Sequence, residues 1–333
     1  MLDGFAAYLE QHSKFLLTTH ENPDGDGIGA AVALAAWLKA QGKSVRIVVT
    51  PALPENLRFV DSQGWVEALD LAGAHRELAA WPDSWLLVDA SEPQRLGPLY
   101  PLFQATQAHR ACLDHHLKGK PEGFDSEFTD PTASASAELV YDLVRPRTEG
   151  PFAPVMAQAI YAGLVSDTGN FRHSNSTPRI HQAAADLIAQ GVHPARTYAA
   201  LYQTATPAKL KLFGKAMGGL QLRAAGRFAF VSVTLADLAQ CGATHEDLDD
   251  LVEEPRKLKG VEVAALFSET PDGRAKVSLR SQERVDVNAV CRKFEGGGHR
   301  LASGARANLP LPAFMSLVEA AVLAQMKQDL SDK

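Results

Sequence analysis

Phe15-Leu16-Leu17-Thr18-Thr19-His20-Glu21-Asn22-Pro23-Asp24-Gly25-Asp26-Gly27, running on into the apolar stretch Gly29–Ala40, is the segment that decides the fold. Phe15–Thr19 reads as a buried strand. The polar loop after it offers the imidazole of His20 and the carboxylates of Asp24 and Asp26. Gly29–Ala40 is apolar almost all round, as a helix buried over a sheet must be. Strand, polar loop and buried helix in this order open a parallel α/β sheet, which binds its ligands outside the carboxyl ends of the strands. Asp24 and Asp26 are spaced to reach different ions in one site, and Gly25 and Gly27 are expected to let the backbone turn tightly around a ligand.

The pattern repeats. Val45–Val49, Trp85–Val88 and Ala111–Leu113 are short apolar runs, with helical patterns at Ser134–Val144 and Pro154–Val165. Beyond Gly191 the character changes. Residues 194–218 read as helical, and Leu220–Arg223 and Phe228–Val233 flank a hairpin-like Ala224-Ala225-Gly226. Val261–Ser268 and Ala275–Ser281 flank Pro271-Asp272-Gly273, a turn signal. Helices are expected near Asp286–Phe294 and Pro310–Gln328. The fold class is therefore α/β: a parallel-sheet domain over 1–190 with helices on both faces, a helical linker over 191–217, and a smaller α/β domain with a mixed sheet over 218–333.

Composition narrows the function. Among 333 residues, 46% are hydrophobic and 22% charged, the balance of a chain with packed cores. Neither the start, Met1–Lys14, nor the apolar run Ala30–Leu38 suits a secretory signal or a membrane span. Cys112, Cys241 and Cys291 lack CxxC spacing, which argues against a zinc ribbon or disulfide framework and for a reducing cytoplasm. Net charge is −6, and a site built from four aspartates would leave only −2 elsewhere, so no grip on long nucleic acid is expected.

The chemistry sits where apolar stretches end. Leu86-Leu87-Val88 runs into Asp89, Cys112-Leu113 into Asp114-His115-His116, and Gly163-Leu164-Val165-Ser166 into Asp167-Thr168-Gly169. Each acid alone could cap a helix or start a turn. Four such endings along one chain point instead to a shared site. Two histidines and four aspartates without a thiolate suit Mn²⁺ or Mg²⁺ better than structural zinc. Six side chains exceed the need of one ion that also holds water and substrate, so two divalent cations are implied, the usual device for displacement at phosphorus.

These motifs resemble the DHH phosphoesterases, named for the triplet Asp114-His115-His116. The likeness includes His20, Asp24 and Asp26 as HxxxDxD, the lone Asp89 and Ser166-Asp167-Thr168-Gly169. It extends into the second half, which resembles a DHHA1 domain through Lys276–Ser281, Val285-Asp286-Val287-Asn288 and Phe294-Glu295-Gly296-Gly297-Gly298-His299. Glu295 stands where many relatives carry a further glycine. Within the family, the length and layout resemble the nanoRNase and pAp phosphatase group.

The resemblance implies that His20, Asp24 and Asp89 hold one ion, and Asp26, Asp89, His115 and Asp167 the other. Mn²⁺ is the favoured cation, with Mg²⁺ or Co²⁺ as alternatives. Asp114 would orient a neighbouring imidazole, and His116 would serve the leaving oxygen as the catalytic residue. Arg280, Ser281, Gly297, Gly298 and His299 would bind substrate. On residues alone, Lys276, Ser278 and Arg280 share one strand face, and the glycine triplet could form an anion nest. Phe171-Arg172-His173 could either serve the site or pack as a loop.

The expected substrates are short oligoribonucleotides, from dinucleotides upward, cut to mononucleotides, and pAp (adenosine 3',5'-bisphosphate), converted to AMP. A cyclic-dinucleotide or pApA phosphodiesterase is the alternative, and a catalytically inactive nucleotide sensor ranks below it. No membrane partner is expected, and a homodimer is compatible with the sequence without being required by it.

Overall fold

Alternation along Lys14–Thr18 divides its side chains between two cores: Phe15 and Leu17 enter one, Leu16 the other. A strand buried on both faces belongs in the middle of a covered parallel sheet. In the computed structural model, which describes residues 1–116 and 123–330, this strand is central. The chain divides into two compact units, Met1–Thr204 and Ala205–Lys333.

The first unit comprises α1 (Leu2–Gln11), β1 (Lys14–Thr18), α2 (Gly25–Ala40), β2 (Ser44–Val49), β3 (Val66–Ala68), β4 (Ser84–Val88), α3 (Tyr100–Ala105), β5 (His109–Asp114), β6 (Ser126–Thr129), α4 (Ser136–Val144), α5 (Pro154–Asp167), α6 (Pro178–Ala189) and α7 (Pro194–Tyr202). Its sheet runs β3-β2-β1-β4-β5-β6, every neighbouring pair parallel. The chain leaves β1 toward one edge and returns at β4 toward the other. That reversal opens a crevice at the carboxyl ends of β1 and β4. Helices cover both faces: α2, α4 and α5 contribute to one core, while Leu96, Leu99 and Phe103 pack with Trp85 and Leu87 in the other. The fold class expected from sequence is the one observed. The edge strands β3 and β6 escape a sequence reading because they are half-exposed and lack apolar runs.

Helix α2 is buried along most of its length, and Ile28, Leu34 and Leu38 each contribute about 1.5–3 kcal/mol by leaving water. Gly25 and Gly27 are expected from sequence to turn a loop around a ligand; the structure corrects this, since both lie within helix α2. The glycines of this helix permit close packing. A Cβ on Gly29 would stand 2.4 Å from the Ala159 carbonyl oxygen and 3.0 Å from the Gly163 nitrogen, both backbone atoms of α5. Neither can yield, so the crossing of α2 and α5 requires glycine there.

The second unit comprises α8 (Pro207–Gly218), β7 (Gln221–Arg223), β8 (Phe228–Val233), α9 (Leu235–Cys241), α10 (Glu253–Arg256), β9 (Val263–Glu269), β10 (Ala275–Ser281), α11 (Val287–Arg292), β11 (Gly297–His299), β12 (Ala302–Ala307) and α12 (Leu311–Leu330). Its sheet runs β11-β12-β10-β9-β8-β7 and is mixed, with only β8 and β9 parallel. Val277 and Leu279 pack with Phe314 and Val318 of α12 on one face, while Ala229, Val231 and Leu266 pack with Leu212 and Leu238 on the other. Residues 194–218, read as a helical stretch, form α7 in the first unit and α8 in the second. Among the described residues, no helix is long and apolar enough to cross a membrane.

Gly29→Ala is expected to destabilise the first unit by about 1–3 kcal/mol through overpacking, read as a lowered melting temperature. Gly4→Ala is the control, because a Cβ there meets nothing within 4 Å; equal effects would refute the packing argument.

Candidate metal centre

Five loop or helix segments deliver their polar residues to one edge of the parallel sheet. His20 follows β1, Asp89 follows β4, and Asp114 ends β5 with His115 and His116 after it. Asp24 is the N-cap of α2 and accepts the N–H groups of Asp26 and Gly27, both at 3.0 Å. A capping role and a place in the site thus coincide in one residue. Asp26 lies in the first turn of α2, and Asp167 ends the helix α5 rather than a strand.

The expected ligand residues converge. His20 Nε2 lies 3.5 Å from Asp24 Oδ2 and 3.7 Å from Asp89 Oδ2. His115 Nε2 lies 3.8 Å from Asp26 Oδ2, 3.5 Å from Asp89 Oδ1 and 3.7 Å from Asp167 Oδ2. His20, Asp24 and Asp89 form one group whose candidate ligand atoms lie within 4.8 Å of one another, and Asp26, His115 and Asp167 form a second. Asp89 stands between them, Oδ2 toward His20 and Oδ1 toward His115. Its backbone adopts φ +64°, a left-handed conformation that turns the residue sharply off the strand end.

Asp114 joins neither of these, but with Asp89, His115 and His116 it forms a third group whose candidate atoms lie within 4.8 Å of one another. Its Oδ1 accepts the N–H groups of His115 (2.8 Å) and His116 (3.2 Å) and faces His116 Nδ1 at 2.7 Å. Asp114 therefore fixes the His116 ring and leaves Nε2 turned away from it. The His116 side chain is 45% exposed, open to an incoming molecule.

Gathering acids in a dry place has electrostatic consequences. Burial and the neighbouring Asp89, Asp167 and Asp24 push Asp26 well above the ordinary carboxylate range. Burial, with Asp89 and Asp24, raises Asp167 to about 6 against the pull of His115. Burial alone would raise Asp89 too, but His115 and His20 hold it below the usual range. The imidazoles move the opposite way. Burial disfavours their charge, yet Asp24 and Asp89 lift His20 to about 10, and Asp89 and Asp167 lift His115 to about 9. Without cations, protonated histidines stand in for them.

Several contributors were not read from the sequence. Ser136 and Ala137 donate backbone N–H groups to Asp26 at 2.6 and 2.9 Å, and Ser136 Oγ donates to Asp89 Oδ1 at 3.0 Å. Asn175 Nδ2 bridges the Ser134 carbonyl (3.0 Å) and the Asp167 carbonyl (3.2 Å). The buried Glu138 accepts the Ser134 N–H at 2.6 Å. Ser134 to Glu138 signalled only a helix start. Phe171 takes the packing role: its ring lies 5.0 Å from that of His181, and it packs against the core of the first unit.

The expected substrate residues lie in the second unit. Arg280 lines a cavity of ≈ 470 Å³ together with Lys276, Ser278, Arg306, His245 and Asp249. Arg280 Nε is 3.2 Å from Glu253 Oε1. Ser281 is buried and points to the opposite face, with Val277 and Leu279, because side chains alternate along β10. Gly297, Gly298 and His299 are exposed and form β11, an extended edge strand rather than a looped nest. Glu295 takes φ +56°, a conformation that favours glycine. Arg306 was not anticipated. It faces Lys276 across the β10–β12 ladder, two like charges placed side by side.

Comparison with known proteins gives a consistent picture. Residues 14–164 match the DHH family, N-terminal domain, and residues 228–326 match the DHHA1 domain. The chain is 30% identical over 290 residues to a Thermus thermophilus protein named bifunctional oligoribonuclease and PAP phosphatase NrnA, covering 87% of this chain and 82% of that one. It is 28% identical over 300 residues to the Bacillus subtilis protein of the same name, covering 89% and 90% respectively. The crystal structure of an exopolyphosphatase-related protein from Bacteroides fragilis superposes with a TM-score of 0.91 at 24% identity, covering 99% of this chain and 97% of that one, which establishes the shared fold.

The raised histidines give a pH prediction. With folded-state values of about 10 and 9 against 6.5 unfolded, their charge pairing stabilises the cation-free protein fully below pH 6.5 and fades as pH climbs through 9 to 10. Divalent cations compete with those protons. Calorimetric titration with Mn²⁺ at pH 7, in two buffers of different ionisation enthalpy, should therefore show proton release, and apparent affinity should rise with pH up to about 9. Identical heats in both buffers would contradict this.

Proposed function

This chain belongs to the DHH family, and from that premise we propose that it is a two-metal phosphoesterase of short ribonucleotides. Its substrates are short oligoribonucleotides, from dinucleotides to short oligomers, cut to mononucleotides, and pAp, whose 3'-phosphate it removes to give AMP. The observation that carries this reading is the pair of ligand groups divided by Asp89. His115 Nε2 is buried, makes no hydrogen bond among the described residues and faces carboxylate oxygens of Asp26, Asp89 and Asp167 at 3.8, 3.5 and 3.7 Å, an arrangement that a shared cation would satisfy. The names of the Thermus and Bacillus relatives join the same two activities.

His20, Asp24 and Asp89 would hold one cation, and Asp26, Asp89, His115 and Asp167 the other. Oxygen-rich ligands with two imidazoles favour Mn²⁺, with Mg²⁺ or Co²⁺ as substitutes. When bound, such a pair lowers the pKa of water and neutralises charge on a phosphoryl oxygen. The chain does the rest. Asp114, held below the ordinary carboxylate range by His116 despite its burial, fixes the His116 ring through Nδ1. His116 Nε2 is then free to give a proton to the departing sugar oxygen. In the second unit, Lys276, Arg280 and Arg306 with Ser278 supply cationic and hydroxyl contacts for phosphate, and the exposed Gly297, Gly298 and His299 supply an open strand edge. Ser278 replaces Ser281 in this role, because the Ser281 hydroxyl faces the core. The three free thiols fit a reducing cytoplasm.

Three measurements test the proposal. With Mn²⁺ present, a diribonucleotide, a short oligomer, a long strand, pAp and pApA are assayed side by side. Diribonucleotide and pAp should turn over fastest; equal turnover of the long strand would sink the reading, and preference for pApA would move it to the dinucleotide phosphodiesterases. Separately, His116→Gln should lower kcat by roughly 10²–10⁴-fold with little change in KM, as loss of a proton donor predicts. The double variant K276Q/R306Q should raise KM for pAp and leave turnover of bis(p-nitrophenyl) phosphate unchanged.

A further inference from the structure

Helix α4 begins without a cap of its own. Its N-cap position is Ala135, whose side chain can accept nothing, and no side-chain cap is present. The first-turn N–H groups are satisfied from elsewhere. Asp26 places Oδ2 on Ser136 N and Oδ1 on Ala137 N, at 2.6 and 2.9 Å, across sequence separations of 110 and 111 residues. A carboxylate of the candidate centre thus caps a helix that it does not belong to. The arrangement is tightly enclosed: a Cβ on Gly163 of α5 would fall 2.4 Å from the Ala137 Cβ and 2.9 Å from Asp26 Oδ1.

Ser136 does more than complete this cap. It is fully buried, and its hydroxyl donates to Asp89 Oδ1 at 3.0 Å. One residue therefore touches both Asp26 and Asp89, through its backbone and its side chain. The bond falls on the Asp89 oxygen that faces His115, not on Oδ2, which faces His20. A hydrogen bond to a ligating carboxylate fixes its rotation and decides which lone pairs stay free. Its loss should therefore act unequally on the two ligand groups.

We infer that Ser136 is a positioning residue that sets the affinity of the cation held by Asp26, Asp89, His115 and Asp167, while leaving the His20–Asp24 side largely unaffected. This rests on the two-cation reading of the site. Ser136 touches no substrate and no reacting atom. It acts by holding the Asp89 carboxylate in register with an Asp26 already fixed by the helix amides.

The test uses the full chain, stripped of metal and titrated with Mn²⁺. Free Mn²⁺ is followed by electron paramagnetic resonance and binding heat by calorimetry, neither of which depends on turnover. The wild type should bind two ions. Ser136→Ala should weaken one of them by about 10–100-fold, the range for lost support of a ligand, and leave the other within a few-fold. Ser136→Thr, which keeps the hydroxyl, should recover most of the loss. Ser136→Cys keeps the shape with a weak donor and should resemble alanine. Melting of the metal-free variants shows that each is folded, and any one folded variant without the hydroxyl suffices. Unchanged affinities, or equal loss at both positions that threonine fails to restore, overturn the inference while the two-cation reading stands. A wild type that binds fewer than two ions overturns both.

Discussion

Mutual repulsion among Asp24, Asp26, Asp89 and Asp167 is the constraint that the first unit is built around. Like charges gathered at short range oppose folding, most strongly at the buried Asp26 and Asp89, where water and salt screen them least. Fully buried Asp26 bears the greatest load and is displaced furthest toward its neutral form. The surrounding structure answers in kind. Protonated His20 and His115 pair with Asp89, and the amides of α4 aim at Asp26 with the positive end of a helix. These supports are what let an acid cluster exist before any cation arrives. Of these supports, only the histidine protons would compete with a cation, whereas the helix amides leave Asp26 fixed in place.

The sheet topology explains how distant residues meet. With order β3-β2-β1-β4-β5-β6, the strands that carry His20, Asp89 and Asp114 are adjacent, and all point their carboxyl ends the same way. Helices α2 and α5 bring Asp26 and Asp167 to that edge by crossing at glycine. Any side chain at Gly29 would push the helices apart and carry the two carboxylates with them. Packing and chemistry are therefore coupled at Gly29, which touches no ligand residue itself. The left-handed backbone of Asp89 is a local cost of the same geometry. A strand continuing straight would carry its carboxylate past the crevice instead of across it.

How far the sequence discloses this arrangement depends on the range of each interaction. Central strands such as Phe15–Thr18 and Trp85–Val88 are apolar on both faces, so their character is visible in a few consecutive letters. Metal-type ligands at the ends of apolar stretches are equally local. Partial exposure hides β3 and β6, whose residues look like loop. The glycines of α2 are legible as glycines but not as a helix crossing, because the reason for them lies in α5. The capping of α4 by Asp26 spans 110 residues and has no spacing signature. Arg306 gains its meaning only from the cross-strand register with Lys276, and Ser281 loses its expected role to the simple alternation of β10.

The phosphate contacts proposed for the second unit meet a constraint of their own. An acidic crevice does not by itself attract an anionic substrate, and the chain as a whole is acidic, at −6. Cationic groups therefore have to be concentrated somewhere other than among the ligand residues, where they would compete with metal. The open face of β10 and β12 does this at some expense, since Lys276 and Arg306 repel each other across the ladder. Arg280 is tempered by Glu253, and Asp249, Asp250 and Asp272 line the same cavity as Lys276 and Arg306, with Asp249 interacting with Lys276. The cations of this face are therefore already balanced in part by carboxylates of the same unit, as the aspartates of the first unit are balanced in part by His20, His115 and the amides of α4.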